Sequence, residues 1–282
     1  MTGLVLVTGA TGKTGRNLVA QLKESGVPYR AASRHGEPPF DWAQPATWDA
    51  ALEDVASVYL VAPPTVDDPY ARMVEFLRSA MRKGVGRLVL LSMASLDAGA
   101  PAHGQVHQWL MDNCADWAVL RPGAFMQNFS EGQYLATIRD EDTIYSNTGA
   151  GRVAFIDAAD IAAAAFAVLM APEVLNTDFV LTGDESISYD RVAELISQAC
   201  GRRISHTHIS TEALAERFLA RGLPEQTAKL LAAAYQRIAD GPEGQITDAV
   251  RTLTGKPATP FQAFAEANVH VWTPAEARLR GP

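Results

Sequence analysis

LVLVTGATGKTG, residues 4–15, decides how the rest of the chain is read. Leu4 to Thr8 is a short apolar run, the pattern of a strand buried on both faces. Gly9 to Gly15 follows, and Arg16 to Ser25 sets Leu18, Val19 and Leu22 at helical spacing before Gly26 closes the helix. A glycine-rich turn between a strand and a helix is the setting of a dinucleotide-binding fingerprint, although a turn without a ligand is the plainer alternative. In the ligand reading Gly9 makes the tight turn, Gly12 lets the backbone approach a pyrophosphate, and Gly15 lets the helix lie close to the strand. Thr11, Lys13, Thr14 and the first amides of the helix would complete the anion cradle. A nucleoside-triphosphate loop is a poor fit, because it needs a glycine five positions before Gly12 and Val7 stands there.

Outward from this turn the chain alternates strands and helices. Strands are expected over 29–33, 57–62 (stopped by Pro63-Pro64), 87–92 and 118–121, the last broken by Pro122-Gly123. Helices are expected at 50–52, 73–83 and 106–114. Beyond residue 125 the rhythm loosens into helices at 157–170, 189–200, 211–238 (with a break at 222–224) and 260–269, and one strand at 179–181. The fold class is therefore α/β, a Rossmann-type doubly wound parallel sheet with a smaller C-terminal α/β substrate lobe. The expected division is 1–150 for the cofactor domain and 151–282 for the lobe, packed on the first domain with chain contributions interleaved.

Cofactor choice is read at the end of the second strand. A site for NAD usually has Asp or Glu there to accept from the ribose 2′-hydroxyl. This chain has Ala31-Ala32-Ser33-Arg34. Arg34 can clamp a 2′-phosphate with its planar fork and Ser33 can donate to the same group, which favours NADP(H). Because ligands in such sheets lie beyond the carboxyl ends of the strands, Ala62, Pro63, Ser92, Met93 and Pro122 are further candidate contacts, and Asp41 could flank the adenine.

Composition narrows the partners. Twenty-four basic residues against 32 acidic ones give a net charge of −8, with no basic stripe for nucleic acid. Cys114 and Cys200 offer neither a disulfide framework nor a metal set, so no metal is expected. The chain starts without a basic leader, and no apolar run approaches the ~18 residues of a membrane span. A cytoplasmic protein acting on a small molecule is expected, with a homodimer as a fold-level expectation.

The lysines are few and uneven: 13, 23, 83, 229 and 256. Ketone-reducing short-chain enzymes usually carry a Tyr with a Lys four residues on, which lowers the phenol's pKa so that it can give a proton. None of the seven tyrosines (29, 59, 70, 134, 145, 189, 235) has Lys at that spacing. Three readings remain open: an electrophile already activated, such as an iminium ion; a quinone protonated afterwards from water; or cofactor binding without turnover.

With these residues on the page, the chain resembles the NmrA-like group of atypical short-chain dehydrogenases. The likeness is carried by 7–15, by LRPGAFMQNF (120–129), by FIDAADI (155–161), by LTGDESISY (181–189) and by the closing helix around 261–272. Within the group it is similar to the festuclavine/agroclavine dehydrogenase type of ergot alkaloid biosynthesis and its bacterial relatives, through GQVHQWL (104–110), TIRDE (137–141) and IYS (144–146). The resemblance implies hydride delivery from NADPH to an iminium or other conjugated electrophile of an aromatic metabolite. An NADP(H)-sensing regulator of the NmrA type and an NADPH quinone reductase are the alternatives.

Two residues are candidates for chemistry. His107, at the start of a helix, could titrate near neutral pH and relay a proton. Ser92, at a strand end, could orient the reacting group. Met93, Phe125, Met126 and Phe129 are expected to form an apolar wall able to hold a cationic substrate by cation–π attraction. Asn128 could bond substrate or a carboxamide, and Tyr235 could close the pocket.

Overall fold

Val5, Leu6 and Val7 have no exposed surface, which is why the opening strand sits deep inside a sheet. In the computed structural model, which describes residues 3–63, 69–239, 241 and 244–273, this strand is β1 (Leu4–Val7). It leads into α1 (Lys13–Glu24), then β2 (Tyr29–Ala31), α2 (Trp48–Ala51), β3 (Val55–Leu60) and α3 (Pro69–Arg82). Next come β4 (Arg87–Leu91), α4 (His103–Asn113) and β5 (Trp117–Pro122). With α7 (Ala158–Met170), β8 (Thr177–Leu181) and α11 (Ala249–Thr254), these form the first compact unit. Its six strands are all parallel, in the order β2-β1-β3-β4-β5-β8. The chain direction across the sheet reverses between β1 and β3, the switch point at which such sheets bind ligands.

Strand periodicity assigns the two faces. Leu6, Val58, Leu60, Leu88, Leu90 and Val119 share one core with Phe76 and Leu77 of α3 and Val106 and Leu110 of α4. On the alternate face Tyr59 reaches Thr14 of α1 and Arg87 reaches α7. Helices therefore cover both faces, the doubly wound arrangement that the run of alternating elements leads one to expect.

The second unit draws on residues Ala124–Asp157, Thr182–Thr247 and Ala258–Pro282. It contains α5 (Gln127–Ser130), α6 (Leu135–Glu141), β6 (Thr143–Ser146), β7 (Arg152–Val153), β9 (Ile187–Ser188) and α8 (Tyr189–Cys200). After these come β10 (Ser205–His208), α9 (Thr211–Ala220), α10 (Glu225–Ala239), α12 (Phe261–Ala267) and α13 (Val269–Trp272). β6 pairs with β10 in parallel and β7 with β9 antiparallel. Helix α8 shows both of its end signals: Ser188 Oγ accepts from Arg191 N at 3.2 Å, and Gly201 takes the left-handed conformation at φ 65°.

A single cut at residue 150 does not separate the units. The first recovers 158–181 and 248–257 from the chain's second half, and 124–150 belongs to the second. The physical reason is β8, which pairs with β5 and needs α7 as its crossover, so both must join the first sheet. The short strands β6, β7, β9 and β10 were not expected from sequence. Pro64, read as part of a strand stop, lies outside the described residues. Among the described residues no helix is long and apolar enough to cross a membrane.

Arg87, the first residue of β4, fixes the crossover. Its Nε donates to Asp116 Oδ2 at 2.9 Å, and its Nη1 donates to the carbonyls of Val168 (2.8 Å) and Ala171 (2.6 Å) at the C-terminus of α7. Nη2 donates to Glu173 O at 2.5 Å. A cation bonded to the last carbonyls of a helix satisfies them and opposes the negative end of its dipole. Arg87→Met should cost about 3 kcal/mol, since it leaves Asp116 and these carbonyls without their donor. Chemical denaturation measures this, and a loss below about 1 kcal/mol would show that solvent replaces the guanidinium.

Candidate active site

The crevice begins with Thr8. Its amide donates to Tyr59 O at 3.0 Å, its hydroxyl donates to the same carbonyl at 3.1 Å, and Val61 N donates back to that hydroxyl at 2.7 Å. The carboxyl ends of β1 and β3 are thus tied together just before the glycine turn. Gly9 has φ +61°, and a Cβ on Gly15 would fall 2.1 Å from Gly9 O, so α1 starts against the turn at a distance only glycine allows. Gly12 precedes α1 and offers no side-chain cap, and the first turn of α1 holds no acidic residue. Its first amides lack intrahelical acceptors and carry the positive end of the helix dipole.

Thr11 and Gly12 are exposed and Lys13 is half-buried. Thr14 differs from expectation: its side chain is buried and accepts from Tyr59 OH at 3.0 Å, so only its backbone is left for a ligand. Burial raises the Tyr59 phenol far above its ordinary pKa, which removes it as a proton donor.

Beyond β2, Ser33 Oγ accepts from His35 N at 3.1 Å and Arg34 is exposed, with no side-chain partner among the described residues. Asp41 is committed to its own loop, with Oδ1 accepting from Ala43 N at 2.9 Å and Oδ2 from Gln44 Nε2 at 3.2 Å. It reads as a turn-forming residue, not a ligand contact. After β3, Ala62 is half-buried and Pro63 is buried.

At the ends of β4 and β5, Met93 is 45% exposed, and Pro122 is buried with its carbonyl accepting from Ala94 N at 2.9 Å. Ser92 and His107 are both buried, and neither Ser92 Oγ nor His107 Nδ1 has a hydrogen-bond partner. Burial holds the His107 imidazole below its ordinary value; Asp178 and Asp97 oppose that shift and Arg121 adds to it. The shift favours the neutral imidazole in the folded protein, in which one ring nitrogen can accept a hydrogen bond.

Sequence reading missed a charged cluster on this edge. Arg121 Nη1 donates to Asp178 Oδ2 at 2.7 Å, and its Nη2 donates to Asp97 Oδ1 at 2.5 Å and Ala94 O at 3.0 Å. The available signal was an arginine inside the apolar strand WAVLRP, since a charge in such a strand is retained only with partners. The thiols offer nothing further: burial pushes Cys114 up to about 11 and also raises Cys200. Among the described residues no group of His, Cys, Asp and Glu could hold a metal ion.

In the second unit the expected apolar wall needs correction. Met126 and Phe129 have no exposed surface. Phe129 stacks on Tyr134 with ring centroids 5.0 Å apart, meets Phe155 at 5.2 Å and Phe261 at 5.4 Å, and its carbonyl accepts from Trp272 Nε1 at 2.7 Å. It is the centre of a core and touches no ligand surface. Phe125 keeps half-buried surface, and the Asn128 carboxamide has no partner among the described residues. Tyr235 is bound to its own unit, with its hydroxyl accepting from Gln133 Nε2 and its ring beside Tyr134 and Phe218. Burial raises its pKa.

Comparison with known proteins extends this geometry. Residues 41–256 match the NmrA-like family. Agroclavine dehydrogenase of Claviceps fusiformis is 37% identical over 286 residues, covering 95% of this chain and 98% of that protein. NAD(P)H azoreductase of Xenophilus azovorans is 30% identical over 284 residues, covering 94% and 98%. Both relatives are oxidoreductases by name. Among solved structures, the NADPH-dependent quinone oxidoreductase QOR2 of Escherichia coli, complexed with NADPH, shares the fold at a TM-score of 0.79 and 20% identity, covering 93% of this chain and 99% of that one. With a match across most of its length and relatives aligned nearly end to end, the chain belongs to the NmrA-like family.

Proposed function

We propose that the protein is an NADPH-dependent reductase that delivers hydride to a C=N or other conjugated electrophile of an aromatic, alkaloid-like metabolite. The observation that carries the reading is the glycine turn at the switch point, followed at the end of β2 by an exposed Arg34 with no carboxylate beside it. The cradle fits a dinucleotide. Gly12 and the first amides of α1 would hold the pyrophosphate, and Arg34 with Ser33 would hold a 2′-phosphate. NADPH, when bound, supplies the hydride.

What the chain's own residues lack supports this substrate class. The described tyrosines with resolved shifts (59, 134 and 235) are all held above their ordinary values by burial, and no lysine stands four positions after any tyrosine. A neutral ketone needs a proton as it takes hydride, whereas an iminium carbon does not. Ser92 and His107 would orient the acceptor by hydrogen bonds. The azoreductase name of one relative supports reduction at a nitrogen-containing double bond.

NADPH oxidation followed with cyclic iminium, quinone and simple ketone substrates tests the class. Turnover is expected with iminium compounds and not with ketones. Turnover with quinones alone would favour the quinone reductase reading, and none with any panel would favour an NADP(H) sensor. Arg34→Ala should weaken NADPH binding by roughly 10- to 100-fold, the worth of a charge-assisted bond, and leave NADH binding unchanged. Equal affinity of the unaltered protein for the two cofactors would refute the role of Arg34. For His107 the sign follows from its lowered pKa: the neutral form is favoured in the folded protein, so its contribution is present above 6.5 and is lost as pH falls below that value. Between pH about 7 and about 5 the melting temperature of the parent protein should fall more steeply than that of His107→Gln, with no His107 inflection in kcat above pH about 7.

A further inference from the structure

The ends of β4 and β5 carry two proposed contact residues whose placement is set by a third. Leu91 pairs with Leu120, and Ser92 N donates to Leu120 O at 2.7 Å. The parallel register continued by one residue sets Ser92 beside Arg121. Alternation along each strand turns both toward α4, on the face of Leu90 and Val119. Asp178, opposite Val119, lies on that same face.

Arg121 joins three pieces of backbone with one guanidinium. Its bond to Asp178 ties β5 to β8, and its bond to Ala94 O holds the loop that leaves Ser92 and Met93. Its bond to Asp97 reaches further along the same loop. That loop in turn supports α4: Gly99 N donates to Gly104 O at 2.8 Å, and a Cβ on Gly104 would lie 2.4 Å from Asp97 O. Gly104 is three residues before His107 on α4. Ser92 Oγ and Arg121 Nε are buried without partners at the ends of β4 and β5, and His107 Nδ1 is likewise buried and unpartnered on α4, where its ring lies 5.5 Å from that of Trp117.

We propose that Arg121 is the positioning residue of the hydride-accepting site, fixing Ser92 by direct strand adjacency and His107 through the Asp97 loop seated on Gly104. It touches no reacting atom. The role rests on the reductase reading given above, but its structural part does not need turnover to be seen. The guanidinium reaches these acceptors from two separate nitrogens, Nη1 to Asp178 and Nη2 to Ala94 O and Asp97, a span that a single ammonium nitrogen does not reproduce.

The test combines hydrogen exchange with kinetics on the full chain, for Arg121→Met, Arg121→Lys and Asp97→Ala. In Arg121→Met, exchange across residues 92–107 should quicken while that of the glycine turn at 9–15 stays unchanged. NADPH affinity should hold within about 3-fold and kcat should drop on the order of 10- to 100-fold, as misplacement of a reacting geometry produces. Arg121→Lys should recover part of the kcat loss. Asp97 is 88% exposed, so Asp97→Ala keeps the fold even where Arg121→Met does not. It should loosen 92–107 more mildly. Unchanged exchange over 92–107 in both Asp97→Ala and Arg121→Lys would overturn the proposal, as would an NADPH affinity that falls in step with kcat. Failure of the parent protein to turn over any substrate would instead refute the reductase reading, with the exchange result still deciding the role of Arg121.

Discussion

The hydroxyl of Thr8 fastens the carboxyl ends of two neighbouring strands at the one place where the sheet reverses its winding. It accepts from Val61 N and donates to Tyr59 O, so β1 and β3 end level with each other. Only because they do can Gly9 turn at once into α1, and only because Gly15 has no side chain can α1 start against that turn. The crevice at the switch point and the anion position at the head of α1 both descend from this clasp. A threonine can do this since its hydroxyl both donates and accepts.

Charge is handled differently on the two edges of this first unit. At the amino ends of β4 and β5 Arg87 closes α7 and pairs with Asp116 Oδ2, while Asp116 Oδ1 is left buried without a partner. Near the carboxyl ends Arg121 Nε and Ser92 Oγ are left without partners, as is His107 Nδ1 on α4. Buried polar atoms with nothing to bond carry a cost of about 1–3 kcal/mol each.

The sheet was legible because β-branched runs, closing glycines and helical spacing all agree over residues 4–122, so local and global signals coincide. The glycine turn was legible for the same reason, as it depends on position along the chain. The short strands β6, β7, β9 and β10 were not: two to four residues give no readable period, and each exists because a partner distant in sequence pairs with it. Met126 and Phe129 misled as pocket walls because an aromatic beside a strand end looks alike whether it faces a core or a ligand, and only packing around Phe129 decides it. His107 was correctly placed on the helix near this edge, but sequence does not carry burial, and burial set its charge state.

The path of the chain has a consequence for how the protein is made. The chain passes between its two compact units at 123/124, 157/158, 181/182, 247/248 and 257/258. During synthesis the ribosome releases β1 to β5 first, yet the sheet's far edge stays open until α7 and β8 emerge, and α11 arrives later still. An open parallel edge presents unpaired backbone groups to any neighbouring strand. The nascent protein therefore carries an exposed β5 edge through the interval in which residues 124–176 are translated, and the Arg121 that later binds Asp178 is itself on that edge. A charged side chain inside the exposed strand then serves as a guard against premature pairing until its own partner is synthesised.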